Sequence, residues 1–129
     1  MSVNFNVVAR KNPQNLEGAP KYYATLNSKG RRNLRFLAHR IADKSSLNEI
    51  DVKAVLEGFI QVIPEILEDG YSVDLQEFGG FHLTCSSLPS ETAEEVTQTN
   101  IKKANIQFRP GKVVKDVVKN IQFTRSVAE

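Results

Sequence analysis

The spacing of apolar residues along this chain changes in its middle from every third or fourth position to every second, and the change falls at Gly70. The longer spacing marks one face of a helix and strict alternation marks one face of a half-buried strand, so helices must be followed by a sheet in an α+β fold. Asn33 can cap the first turn of a helix carrying Leu34, Leu37, Ala38 and Ile41 and ending near Lys44. Ser45-Ser46-Leu47 breaks it. Asn48 then caps a second helix, with Glu49 and Asp51 placed to complement the helix dipole. Its stripe runs through Val52, Val55, Leu56, Phe59, Ile60, Ile63, Ile66 and Leu67 and stops before Asp69-Gly70. Pro64 lacks a backbone donor and is expected to kink this helix or bring it near its end.

Beyond Gly70, Val73 and Leu75 face one way, and Phe78-Gly79-Gly80-Phe81 predicts a tight bend at the glycine pair. Phe81, Leu83 and Cys85 then alternate with His82, Thr84 and Ser86 as a second strand. Ser87 to Asn100 holds Pro89 and three glutamates with only Leu88, Ala93 and Val96 apolar, so it can bury little. Ala104, Ile106 and Phe108, opposite Asn105, Gln107 and Arg109, form a third strand that Pro110-Gly111 breaks. Val113, Val114, Val117 and Val118 mark a short helix with Lys112, Lys115 and Lys119 on its exposed side, and Ile121, Phe123 and Val127 mark a last extended segment. At the other end Val3, Phe5 and Val7, and then Tyr22, Ala24 and Leu26, alternate with their neighbours around a loop from Asn12 to Pro20, which predicts a hairpin-like addition.

At 129 residues and 14.4 kDa the length fits one domain. An apolar share of 40% with 25% charged residues suits a folded globular chain and not a disordered one. No apolar run is long enough to span a bilayer, and Met1 to Arg10 lacks the order of a secretory signal, so a cytoplasmic address is expected. One cysteine, Cys85, allows no internal disulfide framework; no metal and no cofactor are expected. The net charge of +2 conceals a segregation into +7 over residues 1–40, −10 over 41–100 and +5 over 101–129. Basic segments around an acidic middle suggest one basic face, the footprint of a polyanion binder.

Nothing in the chain supports an enzyme. His82 and Cys85 invite a base-and-nucleophile reading, but residues three apart in a strand point to opposite faces, and Cys85 is expected to face the core as a small apolar residue. His39, between Arg35 and Arg40, is expected at the surface. Glu94 and Glu95 lie where rigid geometry is hardest to hold, and there is no glycine-rich phosphate loop or dinucleotide fingerprint. The basic cluster is more informative: Lys102, Lys103, Arg109, Lys112, Lys115 and Lys119 fall close together, and Arg109 and Lys112 stand at a helix entrance where free amides favour phosphate.

From Asn33 to about Asn120 the chain resembles the HU and integration host factor family of bacterial histone-like proteins. Two helices are followed by Glu68-Asp69-Gly70; Phe78-Gly79-Gly80-Phe81 is similar to the family's G-F-G-x-F signature with Glu77 in place of the leading glycine. Phe108-Arg109-Pro110-Gly111-Lys112, with Lys115, looks like its aromatic–basic–x-Gly-Lys pattern. The extensions at 1–32 and 121–129 resemble longer HU-like variants of Bacteroidetes. Arg10-Lys11-Asn12-Pro13-Gln14 looks similar to the family's R-N-P arm tip but precedes the first helix and is taken as coincidence.

The resemblance implies a single HU-like domain over 1–129: an intertwined homodimer with helices at the base, a three-stranded antiparallel sheet as a saddle, an arm over about 87–103, and extra terminal strands. It implies a cytoplasmic nucleoid protein that binds and bends double-stranded DNA without strong sequence preference, with no small-molecule substrate and no membrane partner. The DNA-contacting residues it implies are Thr84, Ser86, Pro89, Lys102, Lys103, Asn105, Gln107, Arg109, Lys112 and Lys115. Shorter members carry basic residues where Thr84 and Ser86 stand, and the arm here carries Glu91, Glu94 and Glu95. The alternative is a structural or protein-interaction dimer that keeps the fold but has lost strong DNA binding.

Overall fold

The computed structural model describes residues 2–15 and 17–126; Val127, expected in the last extended segment, lies outside them. The chain divides into two compact units, Asn33–Asp116 and the two ends together, Met1–Arg32 with Val117–Glu129.

In the central unit both helices begin where their caps predict. The Asn33 side chain accepts from the Phe36 amide at 2.9 Å to open α1, Leu34–Asp43, and the Asn48 side chain accepts from the Asp51 amide at 2.9 Å to open α2, Glu49–Glu68. Pro64 lies near the end of α2, as expected, and the helix runs four residues past it to Glu68, because the proline removes the rung to Ile60 but none of those that follow. A Schellman closure then stops it: Gly70 N–H donates to Leu67 O at 3.0 Å, Tyr71 N–H donates to Ile66 O at 3.2 Å, and Gly70 takes φ +92°.

The sheet that follows has the order β3-β4-β5, all antiparallel, with β3 Val73–Asp74, β4 Gly79–Ser87 and β5 Ile101–Pro110. Its first turn corrects the sequence expectation. The chain reverses through a 3₁₀ turn at Gln76–Phe78, with Gln76 at φ +58°, leaving Leu75 outside β3, while Gly79 and Gly80 lie inside β4. The glycines serve close approach instead of a bend. A Cβ on Gly79, whose φ is +134°, would overlap the Arg109 carbonyl and come within 2.9 Å of Gly111 N, and one on Gly80 would lie 2.6 Å from the Val73 carbonyl. A Gly-Gly pair reads equally well as turn or as crowded strand, and only the neighbours decide.

After β5, α3 occupies Lys112–Lys119. The terminal unit is a second sheet of order β2-β1-β6, from β1 Val3–Arg10, β2 Lys21–Asn27 and β6 Phe123–Arg125. The expected hairpin is present, antiparallel from Asn4↔Asn27 to Arg10↔Lys21, and β6 joins it in parallel, Val3↔Phe123 to Phe5↔Arg125. Val3 N–H to Gln122 O and Ser126 N–H to Phe5 O, each 2.8 Å, tie the edges.

Among the described residues only Ala38, Val52 and Leu67 are buried apolar side chains, all on α1 and α2. Phe108 stacks obliquely against Phe78 and Phe81 at ring separations of 5.4 and 5.2 Å, yet Leu83, Ile106 and much of α2 remain open, with Ile50 80% and Val55 65% exposed. The chain exposes 11504 Å², where a folded monomer of its mass would expose about 6,800 Å². Cys85, expected to face a core, is exposed. It does share a face with Phe81 and Leu83, but at Cys85 that face is open among the described residues.

The crowding at Gly79 makes a stability prediction. Gly79→Ala should lower unfolding stability by about 2 kcal/mol or more, because the new methyl meets backbone and φ is unsuited to an L side chain. Denaturant unfolding monitored by circular dichroism checks it.

Candidate nucleic-acid interface

Antiparallel pairing puts partnered residues on the same side of a sheet, so the register of β4 with β5 sorts the sequence into two faces. Phe81↔Phe108, Leu83↔Ile106 and Cys85↔Ala104 share the apolar face. His82↔Gln107, Thr84↔Asn105, Ser86↔Lys103 and Gly80↔Arg109 share the other. Six of the ten residues expected at DNA, Thr84, Ser86, Lys103, Asn105, Gln107 and Arg109, therefore come together as one strip of hydroxyls, amides and two cations. His82 lies in the same strip. Sequence spacing brings it forward only as a base for Cys85, although the same alternation that separates it from the thiol places it beside Thr84. Asp74, paired with Gly80, also lies on this face and offsets part of the Arg109 charge.

Lys102 is not in the strip. The register shifts between Ser86 and Ser87, pairing Ser86 with Lys103 and Ser87 with Ile101, so Lys102 is the extra residue of a β-bulge. A bulge bends a strand and re-aims a side chain, and no signal in the local sequence marks one here. Lys112 and Lys115 stand in the first turn of α3. Gly111 O accepts from Lys115 N–H at 2.9 Å and Gly111 N–H donates to Phe78 O at 2.9 Å, which fixes the helix start beside the sheet turn. The amides of Lys112, Val113 and Val114 have no acceptor within the helix and add to the positive end of its dipole. A cleft of about 320 Å³ lies at this end of the sheet, lined in part by Asp74, Gln76, Gly79, His82, Arg109 and Gly111.

The connection from Leu88 to Asn100 carries Pro89 and is closed on itself. Asn100 accepts from the Thr97 amide at 2.9 Å and donates to Leu88 O at 3.0 Å and Ser90 Oγ at 2.8 Å, while its own backbone N–H bonds Thr97 O at 3.0 Å and Leu88 N–H returns to Asn100 O at 2.8 Å. Two short 3₁₀ turns, Ala93–Glu95 and Gln98–Asn100, fill the rest, and Glu91, Glu94 and Glu95 are exposed. Sequence reasoning misses the Asn100 clamp. A Thr-x-x-Asn spacing at Thr97 is its only trace.

Elsewhere the surface is unremarkable for chemistry. His39 is exposed, as its flanking arginines imply, with Nε2 3.5 Å from Asp43 and Nδ1 3.4 Å from Glu49. His82 and Cys85 lie on opposite faces, and among the described residues no three His, Cys, Asp or Glu side chains gather as a metal site. No helix is long and apolar enough to cross a membrane among the described residues.

Residues 1–125 match the family model described as "HU domain fused to wHTH, Ig, or Glycine-rich motif". The chain is similar to the integration host factor subunit alpha of Pseudoalteromonas atlantica, 32% identical over 90 residues that cover 68% of this chain and 92% of that protein. It is 36% identical over 84 residues to the DNA-binding protein HU-alpha of Salmonella typhimurium, covering 61% of this chain and 90% of that one. The crystal structure of a candidate bacterial DNA-binding protein from Bacteroides vulgatus superposes with a TM-score of 0.63 at 10% identity, over 95% of this chain. The chain spans about half of that structure, 47% of its length. At that identity the likeness speaks for the fold.

The clamp at Asn100 predicts a local effect. Asn100→Ala removes the side-chain bonds that close the arm while leaving the β4–β5 ladder intact, so amide exchange within 88–99 should accelerate by about tenfold or more with exchange at Phe81 and Phe108 unchanged. Hydrogen exchange read by mass spectrometry checks it.

Proposed function

The chain belongs to the HU and integration host factor family, and from that premise we propose that it is an architectural protein that binds double-stranded DNA as a homodimer, with little sequence preference, and bends it. The observation that carries this reading is the β4–β5 register, which lines up Thr84, Ser86, Lys103, Asn105, Gln107 and Arg109 on one face, next to the α3 start with Lys112 and Lys115. Hydroxyls, amides, cations and free helix amides are the groups that hold phosphates and sugar edges, and none of them needs a particular base. The role is a binding role, with no reaction assigned to any side chain. Its place of work is the cytoplasmic nucleoid.

Affinity in this reading comes from neutralised phosphates and the counterions they release. Lys102, re-aimed by the bulge, and Pro89 on the arm are the outlying contacts. Because Glu91, Glu94 and Glu95 supply no attraction to offset unstacking of a base step in the negative minor groove, the arm should kink DNA less sharply than an arm with a basic tip. Residues 33–116 carry nine Lys/Arg against thirteen Asp/Glu, and this acidic balance favours the second reading, a dimer of the same fold that serves protein interaction.

The open apolar surface supports the homodimer. Ile50, Val55, Ile60, Leu83 and Ile106 are all about half exposed or more in one chain, and the accessible area is well above that of a folded monomer of this mass, so surface is left for a partner to cover. The central unit is then an HU-like domain completed by its partner, with the terminal strands as additions.

Sedimentation equilibrium at micromolar concentration should return twice 14.4 kDa; a cooperatively folded monomer would overturn the shared core. For DNA, Lys112→Ala should weaken binding to unrelated duplexes alike. The slope of log affinity against log salt should fall by about 0.9 for each phosphate left without its lysine, two per dimer. Electrophoretic titrations at two salt concentrations measure both, and an absence of binding at low salt would favour the protein-interaction dimer.

A further inference from the structure

We propose that the terminal unit is a second DNA-binding element, a basic β-ribbon whose outer end grips the phosphates of a duplex. The inference rests on the proposed DNA-binding function but uses none of the residues assigned to it.

The first observation is how charge divides between the two units. Met1–Arg32 with Val117–Glu129 carry eight Lys/Arg and two Asp/Glu, a net +6, whereas residues 33–116 are net −4. The formal charge of +2 is thus a basic unit joined to an acidic one. A chain whose central unit repels polyanions at long range, and whose smaller unit attracts them, has its electrostatic capture surface on the smaller unit.

The second is the shape of the charged part. Among the described residues β6 pairs with β1 at Val3–Phe5, and from Asn6↔Thr25 to Arg10↔Lys21 β1 and β2 form a two-stranded ribbon. Five residue pairs at the strand rise span about 16 Å. A two-stranded ribbon is a width the major groove of B-DNA admits. Its base is held by side-chain bonds, Asn6 Nδ2 to Asn27 Oδ1 at 3.0 Å and Asn27 Nδ2 to Ser126 Oγ at 3.1 Å.

The third is what the ribbon presents. By its register Asn6, Val8, Arg10, Lys21, Tyr23 and Thr25 share one face, and Lys11 follows directly. Arg10, Lys11 and Lys21 are exposed, and none takes part in the ion pairs found among the described residues. Tyr23, 49% exposed, joins them around a cleft of about 720 Å³. Unpaired cations beside amide, hydroxyl and phenol donors match a sugar-phosphate backbone.

The test uses the full chain and a short fluorescein-labelled duplex of arbitrary sequence, read by fluorescence anisotropy over a range of salt. Arg10→Gln/Lys11→Gln/Lys21→Gln should lower affinity about tenfold or more and reduce the salt slope by about 0.9 for each phosphate released. The charge-keeping variant Arg10→Lys/Lys11→Arg/Lys21→Arg should bind as the parent does, and unchanged circular dichroism and thermal midpoint show that both fold. Lys103→Ala/Arg109→Ala/Lys112→Ala is measured beside them. If the glutamine variant binds normally while the sheet variant is weakened, the ribbon is not a DNA contact and the proposed function stands. Weakening of the glutamine variant alone supports the ribbon and overturns the sheet-face site. If neither variant alters binding, or the parent binds no duplex, both assignments fall, and the ribbon's cations serve another partner such as an acidic protein surface.

Discussion

Paired residues of an antiparallel ladder point the same way, and the arrangement of this protein depends on that constraint acting between β4 and β5. The ladder can form in its observed register because Gly79 and Gly80 leave room for the Arg109 and Val73 carbonyls. With side chains there, β3 and the β5 end would be pushed away. Once the register is set, every alternate residue of both strands is committed to a face: phenylalanines, Leu83 and Ile106 to one side, hydroxyls, amides and cations to the other. A slip of one position would exchange them. The start of α3 is tied to the same place by the bond from Gly111 to Phe78, so Lys112 and Lys115 are positioned by the turn that the glycines permit.

The apolar side of this arrangement is left unfinished by a single chain. Ala38, Val52 and Leu67 are few for a chain of this length, and the helices and sheet otherwise show large apolar side chains to solvent. Hydrophobic burial is the main favourable term in folding, so surface of this extent is a strong drive to association. The polar face carries little such pressure. One face is open for lack of cover, and the other because its groups are well solvated.

Charge follows a different division from packing. Eight of the fifteen cations flanking the acidic centre of the sequence belong to the terminal unit, while Arg35, Arg40, Lys102, Lys103, Arg109, Lys112 and Lys115 remain in a central unit whose balance is acidic. The sum over the chain hides this, as does the sum over each third of it. Long-range attraction and local phosphate contact are separate quantities: the first follows net charge and the second follows geometry.

Much of the local structure was legible in the sequence because it depends on near neighbours. Asn33 and Asn48 act as caps, Gly70 closes α2, and the change of period marks the passage from helix to sheet, since caps, turns and periodicity are decided within a few residues. The polar strip was legible to the same extent: alternation alone places Thr84 with Ser86 and Asn105 with Gln107. Only the tertiary structure decided what depends on distant partners. It put Gly79 and Gly80 inside a strand instead of at its bend, set Lys102 apart from Lys103 on a bulge, left Cys85 exposed, and brought the last strand back beside the first. Each of these is settled by which backbone lies alongside, and a pairing between residues far apart in the chain leaves no periodic trace in either one.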